Sequence, residues 1–212
     1  MRREARLPES HLRLIKSLED SYLQYEDPIL QSGFGGGALR WKAEREPILE
    51  AIRSDGDILD VGCANGYLLE CLLEWGRERG LSLKPHGLDI GPRLIELARK
   101  RLPRFADNFH VGNAWDWKPP RLYRYVYTVY ECVPVDYLPA YTERLIRYVV
   151  EPGGRLIVGA YGSRSQGRTP FDIVAFLRAL GYHLVGSAEG GKPSLTMFGW
   201  IDRPNPEHPE TK

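Results

Sequence analysis

The chain has 212 residues, of which 42% are hydrophobic and 27% are charged, enough for one α/β domain with a full core. Its 29 Lys and Arg nearly cancel its 28 Asp and Glu, so no overall field attracts nucleic acid or an anionic membrane, and neither is an expected partner. The charged N-terminus and the lack of a long apolar run lead us to expect no signal peptide, no membrane span and a cytoplasmic protein.

The cysteines give no sign of a disulfide framework or of a metal site. Cys63, Cys71 and Cys132 have neither CxxC spacing nor nearby pairs of histidines. We therefore expect reduced thiols that are mostly packed, and no bound metal.

The first 56 residues show two helical patterns, which we interpret as an N-terminal helical cap. Behind Ser10, a candidate N-cap, apolar side chains recur at helical spacing at Leu14, Ile15, Leu18, Tyr22 and Tyr25. A glycine-rich break at 33–37 leads into a second pattern, whose expected buried stripe is Leu39, Ile48, Leu49 and Ile52. Residues 33–46 fit either a mobile lid over a site or a plain linker between helices.

From residue 57 onward short apolar runs alternate with helical stretches, which is typical of a parallel sheet covered by helices on both faces. We expect strands near 57–61, 84–89, 108–112, 123–129 and 154–160, with helices near 66–79, 92–102, 137–150 and 170–180. Two closing strands, 183–188 and 194–202, are joined by a link so short that they must pair antiparallel. The predicted organisation is one structural domain, with the cap at 1–56, a seven-stranded α/β unit at 57–203 and a polar tail at 204–212.

The segment ILDVGCANGYLLE, residues 58–70, has the pattern of a cofactor loop, because a buried strand runs through a glycine turn directly into an apolar helix. Gly62 permits a sharp turn and close approach of a ligand, and Gly66 opens the helix. Asp89 ends the next strand, where an acid suits the two hydroxyls of a ribose. A tight turn without a ligand, and a helix-capping role for Asp89, are the alternative interpretations.

These segments and their order resemble the class I S-adenosylmethionine (SAM)-dependent methyltransferases from Asp57 to Asp202. Asp60, Gly62 and Gly66 match the family's first motif, with Ala64 where glycine is commonest, and Glu151 to Gly154 match the turn before its fifth strand. The resemblance implies a Rossmann-like fold whose last strand is antiparallel, SAM as cofactor and S-adenosylhomocysteine (SAH) as product. The cofactor-binding residues that it implies are Asp60, Gly62, Cys63, Ala64, Gly66, Asp89, Ile90, Asn113, Ala114 and Thr128.

Some of these assignments keep an alternative. Asn113, in HVGNAWDW, takes the position that often faces the adenine amine, but it also fits a turn residue after a strand. The exit of the fourth strand, with Thr128 and Tyr130, resembles the stretch beneath the sulfonium. Tyr130, Glu131 or a histidine from another loop are the candidate bases, and Glu131 equally fits a surface acid or a helix start.

The acceptor is expected to be a small molecule, because signatures of macromolecular methylation are absent. After strand four there is no Asn/Asp-Pro-Pro-aromatic sequence and no Pro-Cys pair. Aromatic residues of the cap and strand exits fit a pocket wall or ordinary core packing, and Arg164 and Arg168 would suit a carboxylate or phosphate but also fit a solvated loop. A non-catalytic SAM-binding regulatory or scaffold protein and a nicotinamide-dependent oxidoreductase are the alternative functions. The sequence does not determine the oligomeric state.

Overall fold

The computed structural model describes residues 6–205, and a seven-stranded sheet forms the centre of this part of the chain. The strands are β1 (Gly56–Val61), β2 (Leu83–Asp89), β3 (Phe109–Val111), β4 (Tyr123–Val129), β5 (Val150–Tyr161), β6 (Gly186–Gly190) and β7 (Thr196–Asp202). Their order is β3-β2-β1-β4-β5-β7-β6, and β7 runs antiparallel to both of its neighbours. The predicted mostly parallel sheet with an antiparallel closing strand is confirmed.

Six α-helices accompany the sheet within the described residues. They are α1 (Glu9–Tyr22), α2 (Gly37–Arg45), α3 (Tyr67–Glu78), α4 (Pro92–Arg101), α5 (Leu138–Tyr148) and α6 (Ile173–Ala179). The apolar residues of α2, α3 and α4 pack on one face of the sheet, whereas those of α5 and α6 pack on the other. Both faces of the parallel strands are therefore buried, which explains why these strands read as continuous apolar runs.

Two expected details of the cap are wrong. Leu39 is 91% exposed, because a different face of α2 is buried. The rest of the predicted stripe lies beyond the end of α2 at Arg45, in and just after a separate 3-10 helix, Glu46–Ala51. Ser10 lies inside α1, which Pro8 precedes as N-cap without a side-chain hydrogen bond. The buried face of α2 consists of Trp41, Glu44 and Arg45, so this helix buries a charged pair.

The strand ends also differ from the sequence prediction. The turn at residues 151–154 lies within β5 as an irregularity, because Tyr123 pairs with Val150 whereas Tyr125 pairs with Arg155. β6 begins at residue 186 instead of 183, where its pairing with β7 starts. Of the predicted tail, residues 206–212 lie outside the described residues, as do residues 1–5 of the predicted cap.

Candidate active site

A cavity of about 1090 Å³ opens at the carboxyl ends of the parallel strands. Ligands of open α/β sheets bind at this edge, and the volume slightly exceeds the roughly 300–1,000 Å³ that is usual for a single-ligand pocket. The glycine loop after β1 forms its floor, and α1, the loop before α2, α2 itself and the loop 162–168 after β5 form its walls. The predicted loop and the predicted cap therefore meet around one space.

The loop after β1 makes its turn with three residues in the left-handed region. Gly62, Ala64 and Gly66 have φ values of 91°, 45° and 74°. A Cβ atom on Gly62 would lie 3.0 Å from the Cys132 Sγ. Ala64 is the one non-glycine residue with positive φ between residues 6 and 205, so its methyl group adds backbone strain where glycine would add none.

Two carboxyl groups lie at this floor, at the ends of β1 and β2. Asp89 accepts hydrogen bonds from the backbone N–H groups of Ala64 and Gly91, both at 2.8 Å, and so holds the loop against the start of α4. Asp60 is 2% exposed, and no group within residues 6–205 donates a hydrogen bond to its carboxyl. Burial, reinforced by the neighbouring Asp89, raises the pKa of Asp60 to about 8. Burial also raises the pKa of Asp89, and its two backbone donors oppose that rise.

The wall beyond β2 and β3 contains three more residues of the predicted set. Ile90, Asn113 and Ala114 all line the cavity. The Asn113 Oδ1 accepts a hydrogen bond from the Trp115 N–H at 2.9 Å, and the Asn113 carbonyl accepts one from the Trp117 N–H at 2.9 Å. Asn113 is thus a turn residue after a strand, as its alternative interpretation expected. Its Oδ1 also retains one lone pair that could accept a hydrogen bond from a ligand.

Thr128, Gly66 and Tyr130 do not line the cavity. Thr128 lies on the opposite face of β4, where its Oγ1 is 2.9 Å from the Tyr141 hydroxyl, because successive strand side chains alternate between faces. Thr128 therefore points away from this cavity, contrary to its expected place in the cofactor site, and Tyr127 and Val129 face the cavity instead. A Cβ atom on Gly66 would lie 2.9 Å from the Ala98 Cβ, so this glycine permits close packing of the loop against α4.

Tyr130 stacks on Phe171 with 4.8 Å between ring centroids, and partial burial raises the pKa of its hydroxyl.

Cys63 lines the cavity, but its thiol is buried against Gly87, and burial raises the thiol pKa well above its usual value. Cys63 therefore offers its backbone to the cavity in preference to a reactive sulfur.

A histidine of α1, His11, lines the cavity and was not identified individually from the sequence. Its Nε2 lies 3.2 Å from the Cys132 carbonyl oxygen. Because a carbonyl can only accept, Nε2 carries the proton and Nδ1 is the basic nitrogen of the neutral ring. Glu131 also lines the cavity, with its carboxyl 4.0 Å from the Arg168 guanidinium, and partial burial raises its pKa.

The apolar stripe of α1 faces the cavity and not the protein core. Leu14 and Leu18 are 58% and 38% exposed, yet both line the cavity wall. Glu19 anchors the helix across the opening, since its Oε1 accepts a hydrogen bond from the Arg93 N–H at 2.8 Å in the first turn of α4. The predicted helix is present but ends at Tyr22, before Tyr25, and it covers a space that a ligand can fill.

Two negative findings apply to the described range. No three His, Cys, Asp or Glu side chains in residues 6–205 converge in a way that could hold a metal ion. Across that same range, no helix is long and apolar enough to cross a membrane.

Several solved structures share this fold over nearly the whole chain. The N-methyltransferase NodS from Bradyrhizobium japonicum WM9, in complex with SAH, superposes with a TM-score of 0.68 at 15% identity, over 90% of this chain and 98% of NodS. The methyltransferase in complex with the Trm112 activator of Haloferax volcanii superposes with a TM-score of 0.65 at 13% identity, over 92% of this chain and 99% of the other. DhpI, in its SAH complex, superposes with a TM-score of 0.60 at 22% identity, over 93% of this chain and 97% of DhpI.

The sequence itself identifies the family. Residues 37–200 match the family described as a methyltransferase domain, and this range runs from the start of α2 into β7. The predicted glycine loop and antiparallel closing strand agree with this match. The chain therefore belongs to the methyltransferase domain family and has the Rossmann-like fold of the class I methyltransferases.

Proposed function

We propose that this protein transfers a methyl group from SAM to a small-molecule acceptor bound in the same cavity. The observation that carries the proposal is the convergence of Asp60, Asp89 and the glycine loop in one cavity at the carboxyl ends of the strands. The nicotinamide alternative is not supported, because the family match is to methyltransferases.

The residues at the floor of the cavity and on its adjacent wall fit the separate parts of SAM, the methyl donor. Asp89 retains carboxylate lone pairs beyond those used by its two backbone donors, and these can accept hydrogen bonds from the ribose hydroxyls. Asp60 is a buried acid without a donor among the described residues, which suits the amino group of the methionine moiety. Ile90, Asn113 and Ala114 lie along the adjacent wall, where the adenine would contact them.

SAM supplies a methyl group on a positively charged sulfur, which is a good leaving group. The protein's part is then mainly to align the acceptor, and holding two reactants in a near-attack geometry can contribute roughly 7–11 kcal/mol. Where the acceptor atom carries a proton, a base is useful. His11 and Glu131 both line the cavity, and His11 is the better candidate base, because its contact with the Cys132 carbonyl uses Nε2 and leaves Nδ1, whereas Glu131 is paired with Arg168.

A small-molecule acceptor is supported by the cover over the cavity. The α1 helix spans the opening, anchored by Glu19 at α4 and by His11 at the Cys132 carbonyl. On the other side, α2 is fixed to the end of the sheet because Thr196 Oγ1 donates a 3.0 Å hydrogen bond to the Glu44 carbonyl. Walls on both sides leave room for a compact molecule, whereas a protein surface or a duplex would have to displace a helix.

The test is calorimetric titration of ligand-stripped protein with SAM, SAH and NAD. We expect micromolar binding of the two sulfur nucleosides and none of NAD. Gly62→Val should abolish that binding, because the added side chain would meet the Cys132 sulfur at the loop. Gly80→Val is the matched control, since Gly80 has a similar φ of 78°, with nothing within 4 Å of an added Cβ, and does not line the cavity. Binding of NAD alone, or undiminished SAH binding by Gly62→Val, would refute the assignment.

A further inference from the structure

A buried arginine forms part of the cavity wall on the side of β5. Arg45, the last residue of α2, is 5% exposed and lines the cavity. Its guanidinium lies 3.7 Å from the centroid of the Tyr161 ring and 5.0 Å from those of Phe34 and Trp41. Three aromatic faces thus hold the guanidinium in place, and stacking of this kind leaves the N–H edge of the guanidinium free for hydrogen bonds.

Most of the hydrogen-bonding capacity of Arg45 is unused. Within residues 6–205 its one hydrogen bond runs from Nη1 to the Glu44 carbonyl at 3.4 Å, although a guanidinium has five N–H donors. The Glu44 Oε2 lies 3.8 Å from the Arg45 Nη1, too far for a hydrogen bond, and the other carboxyl oxygen, Oε1, accepts two hydrogen bonds from Arg40, at 2.8 and 3.0 Å. Arg40 and Arg45 share the carboxylate of Glu44, and the charge of Glu131 also reaches Arg45. The buried guanidinium of Arg45 nevertheless keeps N–H donors from which a ligand can accept hydrogen bonds.

The position of Arg45 relative to the floor favours the acceptor over the cofactor. The predicted cofactor residues follow β1, β2 and β3, whereas Tyr161, on which Arg45 stacks, ends β5. β4 lies between β1 and β5, which separates the two regions by roughly 10 Å. A ligand group at Arg45 would therefore sit on the side of the cavity away from the adenine.

We propose that Arg45 binds a carboxylate of the methyl acceptor, so that the substrates are small organic acids. The proposal rests on the methyl-transfer function above and adds the class of acceptor. A planar guanidinium can donate two parallel hydrogen bonds to a carboxylate, a geometry that also fixes the orientation of the molecule. The adjoining hydroxyls of Tyr127 and Tyr161 share one hydrogen bond, and the remaining hydroxyl proton is a further donor for the same ligand.

The test uses protein loaded with SAH and a panel of matched pairs, benzoate against benzamide and butanoate against butanamide. We expect calorimetry or ligand-observed NMR to show at least about tenfold tighter binding of a carboxylate than of its amide. Arg45→Met should remove that preference. Lys42→Met, which removes a charge of α2 outside the cavity, should retain it. Arg45→Lys, which keeps the charge but not the planar fork, should show an intermediate preference, and circular dichroism would verify that each variant is folded.

Two results would overturn the proposal. One is equal binding of acids and amides by the SAH-loaded wild type. The other is a loss of SAH affinity in Arg45→Met with unchanged affinity for 5′-methylthioadenosine, which lacks the amino-acid moiety, because Arg45 would then bind the cofactor's carboxylate. Failure of the methyl-transfer proposal would be distinguishable, since it would appear in the wild type as absent SAH binding.

Discussion

The buried carboxyl of Asp60 should make the ligand-free protein less stable as the pH rises, and Asp60→Asn should remove the contribution of Asp60 to that dependence, leaving the smaller contributions of Asp89 and Glu131. The pKa of Asp60 is raised from 3.8 to about 8. Between those values the folded protein holds a proton that the unfolded chain releases, so the free energy of unfolding falls with increasing pH. The fall is about 1.36 kcal/mol for each pH unit.

From about pH 5 to about pH 8, three pH units at that slope amount to roughly 4 kcal/mol lost through Asp60. This is an upper bound, because water that enters the cavity would stabilise the ionised carboxyl. Asparagine has nearly the same shape and does not ionise. The variant should therefore resemble the wild type in stability near pH 4 and exceed it increasingly up to pH 8.

Urea unfolding of ligand-free protein at several pH values measures this difference directly. Asp107→Asn is the matched control, since Asp107 is exposed and far in sequence from the cavity-lining residues of β1. The reasoning fails if Asp60→Asn and the wild type lose stability in parallel as the pH rises. If Asp60→Asn, but not Asp107→Asn, flattens the dependence of the free energy of unfolding on pH, then Asp60 is buried and unpaired in the ligand-free protein.

Three further predictions concern the same cavity. Asp89→Ala should weaken SAH binding at least about tenfold and lower the free energy of unfolding by about 1–3 kcal/mol, since two backbone donors lose their acceptor. Unchanged SAH affinity in calorimetry would show that Asp89 is not part of the site. Ala64→Gly should raise the free energy of unfolding in urea by up to about 1 kcal/mol by relieving the positive φ, whereas Ala43→Gly, inside α2, should lower it. A change of the same sign in both variants would contradict the strain argument. His11→Gln should slow methylation of any accepted substrate by about 10²-fold or more with SAH affinity unchanged, and an unaltered rate would exclude His11 as the base.

Local pattern was sufficient for most of the fold and for part of the site. The alternation of apolar runs with helical stretches identified seven strands and their approximate ends, most clearly for the central strands β1, β4 and β5, which are buried on both faces. The glycine loop and Asp89 were identified because a sharp turn and a strand-ending acid leave signals within a few residues. Such features depend on the backbone conformation of neighbours in sequence, which the residue types themselves restrict.

Other features depended on contacts between distant segments. Thr128 and Val129 are adjacent in sequence, and only the pairing and packing of β4 decided which of them faces the cavity. The burial of Arg45 arises from rings contributed by residues 34, 41 and 161. The raised pKa of Asp60 arises mainly from its burial, and Asp89 at the end of a neighbouring strand raises it further. The sequence by itself determined the family, the sheet and the floor of the site. The tertiary structure decided which side chains reach the cavity and with what charge, because burial and electrostatic environment are set by residues far apart along the chain.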